Sequence, residues 1–374
     1  MGIEYQWKHG SKRVVLVGHP FSPSGRGEDI RSTFRSLKSV DCDAKILDIY
    51  SYIEPERSQN IEFSNFMTDD LGEVNVFHIN GDEVEPVIEH LKRKQDIKGY
   101  NIVYPAWELS RYPIEWLRQL ERFSEIWAPS KFIYESLKGS SKTIEYVPLA
   151  SEVAIGCFLG RKYFGIPETD YVFLFFFDLR SYSARKNPKG IIEAFRRLVF
   201  TRPYAKISLI IKVSGTDVDG GLVGDLRNQL KGLNGHVVII DRVMTDNEIK
   251  NLIRNSDCFV SLHRSEGFGR GIAEAMFLGK PVIATAYSGN MDFMNENASF
   301  PVRYRLINLQ EGDYPHWQDQ VWADPDIEQA AYYMDKLVND PEMGRNIGKR
   351  ARQIIRKFGY HASGLRYLSR LRSI

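Results

Sequence analysis

The sequence predicts an α/β protein that contains two doubly wound parallel sheets. Short apolar segments, rich in β-branched and aromatic residues, alternate with segments of helical spacing in both halves of the chain. This alternation is typical of parallel strands that are covered by helices. A length of 374 residues is also sufficient for two or three domains. Together these observations favour two domains of the same class.

The first half of the chain contains a series of short predicted strands. Residues 12–18 have the composition of a buried strand, and a Gly- and Ser-rich loop and a predicted helix over residues 26–39 follow it. Ile114, Leu117 and Leu120 stand at helical spacing. Further strands are predicted at residues 44–49, 74–79, 100–103, 125–127 and 143–147.

The second half repeats this order with continuously apolar strands, as expected for strands that are buried on both faces of a parallel sheet. Pro188, after Asn187, favours a helix start because its missing N–H is not needed there. Thr245 and Glu248 form a capping-box pattern that favours the start of another helix. The strands are predicted at residues 171–177, 207–213, 237–241, 258–262 and 281–285.

The domain boundary is predicted between residues 149 and 169. We assign residues 1–160 to an N-terminal domain, 161–350 to a C-terminal domain and 351–374 to a helical tail that packs back toward the N-terminal domain. Residues 345–372 contain nine Lys or Arg and no acidic residue, but their apolar residues keep helical spacing. The tail is therefore expected to pack on the body of the protein, and contact with an anionic membrane is the alternative.

Composition excludes several classes of protein. Hydrophobic residues make up 43%, charged residues 26%, and the net charge is +2, so nothing indicates nucleic-acid binding. The longest strongly apolar run is residues 171–177, far short of a membrane span. Cys42, Cys157 and Cys258 lie far apart, which argues against a zinc site or a disulfide framework. We expect a cytoplasmic protein, with peripheral contact at the inner face of a membrane as an option.

Residues 265–276, SEGFGRGIAEAM, are the most informative segment. They follow a predicted strand and lead into a helix, so they lie where ligands bind in an open α/β sheet. Gly267, Gly269 and Gly271 allow close backbone approach, and a helix N-terminus favours an anion. Glu266 and Glu274 would repel that anion, and accepting hydrogen bonds from vicinal sugar hydroxyls fits them better.

Cations for the anion are predicted just past the first strand of the same domain. Arg180, Arg185 and Lys186 lie in this segment. Positive side chains at the carboxyl end of a strand can hold a diphosphate and stabilise the charge that it gains on leaving. The alternative for each of the three is a solvated loop charge.

Longer motifs in this half carry a family resemblance. Glu266 and Glu274 with seven residues between them, GFG, the EAM helix, GKPVIAT and SGN occur in register. In these motifs the chain resembles the retaining glycosyltransferases of family four. The resemblance implies the GT-B fold, α/β with two doubly wound Rossmann-like domains that face each other across a cleft. It also implies retaining transfer of a sugar from a nucleotide diphosphosugar, without a metal or other cofactor.

The resemblance also implies roles for individual residues. Glu266, Lys186 and Arg180 would be catalytic: Glu266 would hold donor-sugar hydroxyls, and the two cations would hold the diphosphate. Leu179 stands where many family members have glycine before that arginine. Glu274 would accept from ribose hydroxyls. The remaining residues implied to line the donor site are Gly25, Gly27, Arg185, Val243, Met244, Gly267, Phe268, Gly269, Ser288, Gly289 and Asn290.

Two N-terminal segments, VFHINGDE and YNIVYPAWELSRYP, look similar to those of bacterial surface-polysaccharide glycosyltransferases. His78, Asp82, Trp107 and Glu108 are therefore acceptor-side candidates, with Trp107 able to stack on a sugar. Burial in the core is the alternative for Trp107, and a structural role is the alternative for His78. The acceptor would be a saccharide or a lipid-linked saccharide.

The predicted function is hexosyl transfer from a nucleotide sugar, in bacterial surface-polysaccharide synthesis, with a mannose-type donor slightly favoured. A nucleotide-sugar epimerase of the same fold and a catalytically silent nucleotide-sugar-binding subunit are the alternatives. Asp217 and Asp219 match the D-x-D pattern of metal-dependent glycosyltransferases. Because they stand in a Gly-rich turn, we do not assign a metal site to them.

Overall fold

The chain forms two compact units. Unit 1 comprises Met1–Glu152 and Lys357–Ile374, and unit 2 is Val153–Arg356. The chain therefore builds unit 2 as one continuous segment and then returns to unit 1. The computed structural model describes residues 12–22, 24–49, 61–215, 220–233 and 236–374.

Unit 1 contains a six-stranded parallel sheet in the order β2-β1-β3-β4-β5-β6. Its strands are β1 Val14–Gly18, β2 Ala44–Asp48, β3 Val74–Phe77, β4 Tyr100–Val103, β5 Glu125–Ala128 and β6 Thr143–Tyr146. Between them lie helices α1 Gly25–Lys38, α2 Val84–Lys92, α3 Ile114–Leu120 and α4 Lys131–Ser136, and a 3₁₀ segment Ile61–Phe66. The six strands predicted in this half are confirmed, with ends that differ from the prediction by at most two residues.

Unit 2 contains a second parallel sheet in the order β12-β11-β10-β7-β8-β9. Its strands are β7 Tyr171–Asp178, β8 Ile207–Ser214, β9 Val237–Ile240, β10 Cys258–Ser261, β11 Val282–Thr285 and β12 Phe300–Val302. Its longer helices are α5 Pro188–Thr201, α6 Gly220–Gln229, α7 Asp246–Asn255, α8 Arg270–Phe277, α9 Ile327–Asn339 and α10 Pro341–Ile355, and a one-turn helix, Ser183–Lys186, precedes α5. The α/β class with two doubly wound sheets is confirmed.

The core of unit 2 explains why its strands are so apolar. Phe173, Phe175 and Phe177 of β7 are at most 4% exposed and belong to one hydrophobic cluster with strand β8 and helix α5. Because β7 lies inside the sheet, its other face is buried as well, and the strand has no alternation of polar residues. The continuous apolar run that predicted a central strand is the direct result.

The predicted helix starts are confirmed. Asn187 accepts from the Gly190 amide, and Pro188 occupies the first turn of α5. Thr245 and Glu248 form the reciprocal capping box of α7. These caps satisfy amides that have no partner inside the helix, which fixes where the preceding loops end.

Strand β12 and an antiparallel hairpin after it lie outside the sequence predictions. The hairpin comprises β13 Tyr304–Asn308 and β14 Val321–Pro325. Strand β13 is largely exposed, so it lacks the apolar pattern on which strand prediction depends. Trp322 of β14 is 1% exposed and anchors the hairpin in unit 2.

Both sheets contain a point at which the strand order reverses. In unit 1 the chain extends from β1 to β2 on one side and continues with β3 on the other. In unit 2 it extends from β7 through β8 to β9, and then continues on the other side of β7 with β10. Ligands of open α/β sheets bind beyond the carboxyl ends of strands at such switch points.

The basic tail forms two helices that belong to different units. Helix α10 is part of unit 2, whereas α11, Tyr360–Arg372, is part of unit 1 and packs on α1. A Cβ at Gly364 would lie 2.2 Å from the carbonyl oxygen of Ser36, so only glycine permits this close approach. Among the described helices, none has the length and apolarity that crossing a membrane requires.

A buried ion pair fastens α11 to the sheet of unit 1. Glu125 of β5 is fully buried, and both of its oxygens accept from Arg370, at 2.9 Å and 2.5 Å. Tyr100 and Trp127 also donate to this carboxylate, at 3.0 Å and 2.7 Å. Removing the arginine would therefore leave a buried carboxylate without its counter-charge.

We expect Arg370→Ala to lower the free energy of unfolding of unit 1 by about 3 kcal/mol, because it leaves the buried carboxylate of Glu125 without its counter-charge. For a domain of this size, each kcal/mol lowers Tm by about 2–4 °C. Differential scanning calorimetry would measure the loss, with the exposed Arg372→Ala of the same helix as the control. Equal losses in the two variants would contradict the prediction.

Candidate functional site

Three charged side chains meet at the switch point of the unit 2 sheet. Arg185 and Lys186 follow β7, and Glu266 follows the neighbouring β10. The ammonium of Lys186 donates to Oε1 of Glu266, and Nη1 of Arg185 lies 3.3 Å from its Oε2. The structure thus brings together three of the residues that the sequence predicted for the donor site. We call this group the switch-point triad.

The triad is nearly closed to solvent. The side chains of Arg185, Glu266 and Lys186 are 4%, 13% and 19% exposed. Burial raises the pKa of Glu266, but Lys186 and Arg185 outweigh this effect and lower the pKa to about 2. The carboxylate is therefore ionised at every pH at which the protein is expected to work, and it acts as an acceptor rather than as an acid.

The segment that carries the cations, which includes the one-turn helix Ser183–Lys186, is tied to the end of β10. Asn187 adopts a left-handed conformation, with φ of 53°, and its side-chain amide donates to the carbonyl of Leu262 at 2.9 Å. Arg185 donates to the carbonyl of Ser265 at 2.9 Å. These bonds join the two loops of the switch point directly, so the position of the cations depends on β10 as well as on β7.

The hairpin supports the same loop, which the sequence analysis did not foresee. Arg264 donates to the carbonyl of Ala184 at 3.0 Å, and its guanidinium lies over the ring of Trp322. The ring of Tyr314, between the hairpin strands, packs on Tyr182 with 4.6 Å between centroids. Tyr182 has φ of 60°, an uncommon conformation for a bulky residue that its surroundings must hold in place.

The SGN segment supports the backbone of Glu266. The hydroxyl of Ser288 accepts from the Glu266 amide at 2.7 Å, and the Gly289 amide donates to the Glu266 carbonyl at 2.9 Å. A Cβ at Gly289 would lie 2.0 Å from the carbonyl oxygen of Gly267. The side chain of Asn290 is fully buried and donates to the carbonyl of Thr285. Ser288 and Gly289 thus contact the loop that carries Glu266, and Asn290 contacts the end of β11.

His263 is a buried neutral group behind the triad. Its Nε2 faces two acceptors, the side-chain oxygen of Asn290 at 3.1 Å and the carbonyl of Tyr287 at 3.3 Å, and its Nδ1 lies 3.0 Å from the Ser261 hydroxyl. Burial lowers the pKa of His263. The contacts assign the proton to Nε2, with Nδ1 accepting from serine.

Glu274 lies on α8 and is 7% exposed. Its Oε1 accepts from the ammonium of Lys250, on α7, at 2.5 Å. Helix α7 follows the loop that carries Val243 and Met244, the residues predicted to contact the base, and Val243 is 93% exposed. Sequence analysis missed Lys250 because a lysine on an amphipathic helix is usually solvated.

The glycines of the two predicted loops have different structural reasons. Gly269 is the N-cap residue of α8 and has φ of 90°, which strongly favours glycine, and Phe268 beside it is packed on Phe293. Gly27 lies in the first turn of α1, and a Cβ there would lie 2.1 Å from the carbonyl oxygen of Ser22, so close packing of the helix on the preceding loop explains that glycine. A Cβ at Gly25 would meet nothing within 4 Å. Packing therefore does not explain Gly25.

Arg180 differs from the other two predicted cations. Its side chain is 51% exposed, and it pairs with Asp178 at 4.0 Å. The backbone amide of Arg180 is held by the Asp178 carboxylate at 2.8 Å. Its catalytic role stays a prediction, whereas Arg185 is buried and forms an ion pair with Glu266 at 3.3 Å.

The acceptor-side candidates lie in unit 1 and differ in exposure. Asp82 is exposed and Glu108 is half-buried, whereas His78 is 4% exposed. Trp107 is 3% exposed, donates to the carbonyl of Arg111, and packs among other aromatic rings. Trp107 therefore presents no open face for sugar stacking, and the core role that the sequence left open is the one its packing supports.

Unit 1 has its own charged group at the switch point between β1 and β3. Glu83 is 4% exposed, and its Oε1 lies 2.9 Å from Nε2 of His19 and accepts from Arg26. Its Oε2 accepts from the Asn80 amide at 2.8 Å. Burial raises the pKa of Glu83, but His19 and Arg26 outweigh it and lower the pKa below its usual value. The sequence predictions named Asp82 beside it instead.

Residues suited to metal binding do not cluster in the described part of the chain, where no group of three or more His, Cys, Asp or Glu side chains could hold an ion. Asp217 and Asp219 lie outside the described residues.

Comparisons with known proteins agree with this geometry. A family model described as "Glycosyl transferases group 1" matches residues 160–354, which is more than half of the chain. The trehalose synthase of Pyrococcus horikoshii is 23% identical over 169 residues, which are 45% of this chain. The chain thus spans only 36% of the length of that relative.

Solved structures resemble almost the whole chain. HepE of Anabaena in complex with UDP-glucose has a TM-score of 0.67 at 15% identity, and the match covers 97% of this chain and 100% of that one. A glycosyltransferase from Rickettsia africae and the sucrose-phosphate synthase of Thermosynechococcus elongatus also have TM-scores of 0.67, at 15% and 14% identity, covering 97% of this chain and 98% of theirs. At these identities the likeness establishes the fold, and the predicted GT-B class is confirmed.

We expect Glu266→Gln to lower the Tm of unit 2, because Arg185 and Lys186 lose their counter-charge. The native pKa of Glu266 lies below its unfolded value, so its ionisation stabilises the fold above about pH 4.3 and this contribution is lost as the pH falls toward 2. The Tm difference from wild type should therefore narrow between pH 6 and pH 3.5. Calorimetry at both pH values would measure it.

The exposed Glu296→Gln of the same unit is the matched control, and it should change Tm little at either pH. A difference for Glu266→Gln that stays constant or widens toward pH 3.5 would contradict the prediction.

Proposed function

We propose that this chain, which belongs to the glycosyl transferases group 1 family, transfers a sugar from a nucleotide diphosphosugar to a saccharide or a lipid-linked saccharide with retention of anomeric configuration. The switch-point triad carries the proposal. It combines a permanently ionised acceptor with two cations at the carboxyl ends of adjacent strands. A sugar diphosphate needs both, hydrogen-bond acceptors for its hydroxyls and positive charge for its phosphates.

The proposed donor site is built around this triad. Lys186 and Arg185 face the diphosphate, Glu266 accepts from hydroxyls of the donor sugar, and Glu274 accepts from the ribose. The loop with Val243, which is exposed, lies against the base. Structures of HepE contain UDP and glucose or UDP-glucose, which supports a nucleotide sugar as the donor class here.

Donor binding involves an exchange of partners in this proposal. In the structure, the ammonium of Lys186 is neutralised by Glu266. A bound diphosphate offers the ammonium a stronger charge, and sugar hydroxyls then donate to the carboxylate. Arg185 stays in contact with Glu266 and keeps it ionised throughout. Little reorganisation is needed, because the loops that hold both cations are already joined.

The proposed chemical step takes place on one face of the sugar. The bond between C1 and the diphosphate oxygen breaks while the acceptor oxygen bonds to C1 on the same side, and the departing phosphate oxygen takes the acceptor proton. Lys186 stabilises the charge that grows on the leaving group. Because the side chains supply this charge, the proposed reaction requires no metal ion.

The proposed acceptor is a saccharide of bacterial surface-polysaccharide synthesis. His78, Asp82 and Glu108 stay predicted acceptor-side residues, and Gly25 and Gly27 stay predicted to approach the diphosphate. A lipid-linked acceptor would bring the protein to the inner face of a membrane, where the basic face of the tail could contact anionic lipid.

We expect the purified chain to consume one sugar nucleotide from a panel that includes UDP-glucose and GDP-mannose, and to do so only when a saccharide acceptor is present. The reaction should proceed in excess EDTA and give a product with the anomeric configuration of the donor. Proton NMR of the reaction mixture would measure donor loss, epimerisation and product configuration together.

Three outcomes would contradict this proposal, each in a different way. Epimerisation of the donor without acceptor would identify a nucleotide-sugar epimerase. An inverted product would reject the retaining mechanism. Donor binding without turnover on any acceptor of a broad saccharide panel would favour a silent binding subunit.

We expect Lys186→Met to lower kcat by about 10²-fold or more, because the departing diphosphate loses one of the positive charges proposed to stabilise it. The fold should survive, since Glu266 keeps its contact with Arg185. Initial rates at saturating donor would measure the loss. Lys189→Met, at an exposed position of the adjoining helix, is the control and should retain normal turnover. A near-normal kcat for Lys186→Met would reject the assigned role.

A further inference from the structure

Lys250 is a buried lysine with a carboxylate partner in the proposed donor site. It is 5% exposed, and its ammonium lies 2.5 Å from Oε1 of Glu274. It also lies 3.3 Å from Asp246, whose side chain is 73% exposed. The buried contact is therefore the one with Glu274. A buried ammonium is costly unless it is paired, so its position indicates a specific need for charge at Glu274.

The helix that carries Lys250 is firmly anchored within unit 2. The capping box of Thr245 and Glu248 fixes the start of α7. Asn247 accepts from the backbone amides of Gly156 and Cys157, and Asn251 accepts from that of Leu159 at 2.9 Å. The ammonium therefore comes from a rigid element and not from a flexible loop, which suits a group that must hold another side chain in place.

We infer that Lys250 is a positioning residue for nucleotide recognition, and that it holds the Glu274 carboxylate ionised and correctly oriented to accept from ribose hydroxyls. This inference rests on the proposed function, which assigns Glu274 to the ribose. A carboxylate has about four lone-pair sites, so one bond from Lys250 at Oε1 is compatible with further hydroxyl donors. Lys250 acts through Glu274 and does not itself contact the reacting atoms.

The same contact links two parts of the nucleotide site. Glu274 stands on α8, after the loop of the triad, and Lys250 stands on α7, after the loop predicted to contact the base. This ion pair connects the helix that follows the predicted base-contacting loop with the helix that carries the proposed ribose acceptor. In this inference, recognition of the nucleoside depends on the contact between Lys250 and Glu274, which lies apart from the residues proposed to bind the diphosphate and the transferred sugar.

The test compares ribonucleotides with their deoxy counterparts. Titration calorimetry of the wild type with UDP, dUDP, GDP and dGDP gives the preference for the ribose 2′-hydroxyl, and 3′-deoxy analogues give that for the 3′-hydroxyl. A hydrogen bond to a charged group is worth about 1.5–3 kcal/mol, so we expect a preference of about tenfold or more. In Lys250→Met this preference should fall to less than half the wild-type ratio, chiefly through weaker ribonucleotide binding.

Matched variants separate positioning from general loss of structure. Lys280→Met removes another lysine of unit 2, which donates to the carbonyls of Arg254 and Ser256 rather than to Glu274. It should shift ribo- and deoxynucleotide affinities together and keep their ratio. Lys250→Arg keeps the charge and should keep most of the preference.

Each result decides the inference. A Lys250→Met preference above half the wild-type ratio, or equal losses for both nucleotide types, overturns it. If Lys250→Met melts below the assay temperature, Lys250→Gln is measured against the same threshold, because it also removes the ammonium. A wild type that binds neither UDP nor GDP, or shows no ribose preference, or a Glu274→Ala variant that keeps that preference, overturns the proposed role of Glu274 itself. Loss of preference in Glu274→Ala alone leaves that role intact and rejects only Lys250.

Discussion

The ionised carboxylate of Glu266 is the constraint on which the rest of the candidate site depends. A carboxylate that is 13% exposed needs counter-charge, and it receives it from Arg185 and Lys186 on the neighbouring loop. This requirement fixes the two loops at the switch point against each other. The supporting contacts of Asn187, Arg264 and Ser288 all act on the same two loops. The ion pairs of the proposed donor site therefore also hold these two segments of unit 2 together.

Unit 1 uses the same arrangement at its own switch point. Cationic or titratable groups, His19 and Arg26, follow the first strand, and the buried acid Glu83 follows the strand beside it. Arg185 and Glu266 have the corresponding positions in unit 2. Parallel strands place their carboxyl ends at one edge, so a pair of opposite charges there ties neighbouring loops with few residues. Both sheets thus have a charged link where the strand order reverses.

Sequence patterns predicted the fold well because burial on both faces leaves continuous apolar strands. Eleven strands, the capping box and the helix that begins after Asn187 follow from short-range spacing. The exposed strand β13 was missed because it has no such pattern. The site was predicted in part, since the motifs indicated Glu266, Lys186 and Arg185. They did not indicate that Arg185 is far more buried than Arg180. Lys250 and Glu83 were missed because their partners lie 24 and 57 or more positions away, and pairing over that distance depends on strand order.

The return of α11 to unit 1 has a consequence for biosynthesis. Glu125 and its partner Arg370 are separated by 245 positions, so the ribosome makes all of unit 2 between them. During that time the acid on β5 lacks the arginine that pairs with it in the finished protein. Unit 2, by contrast, is continuous and can reach its native state first. The part of the protein that is synthesised earliest therefore cannot complete its packing until α11 has been made.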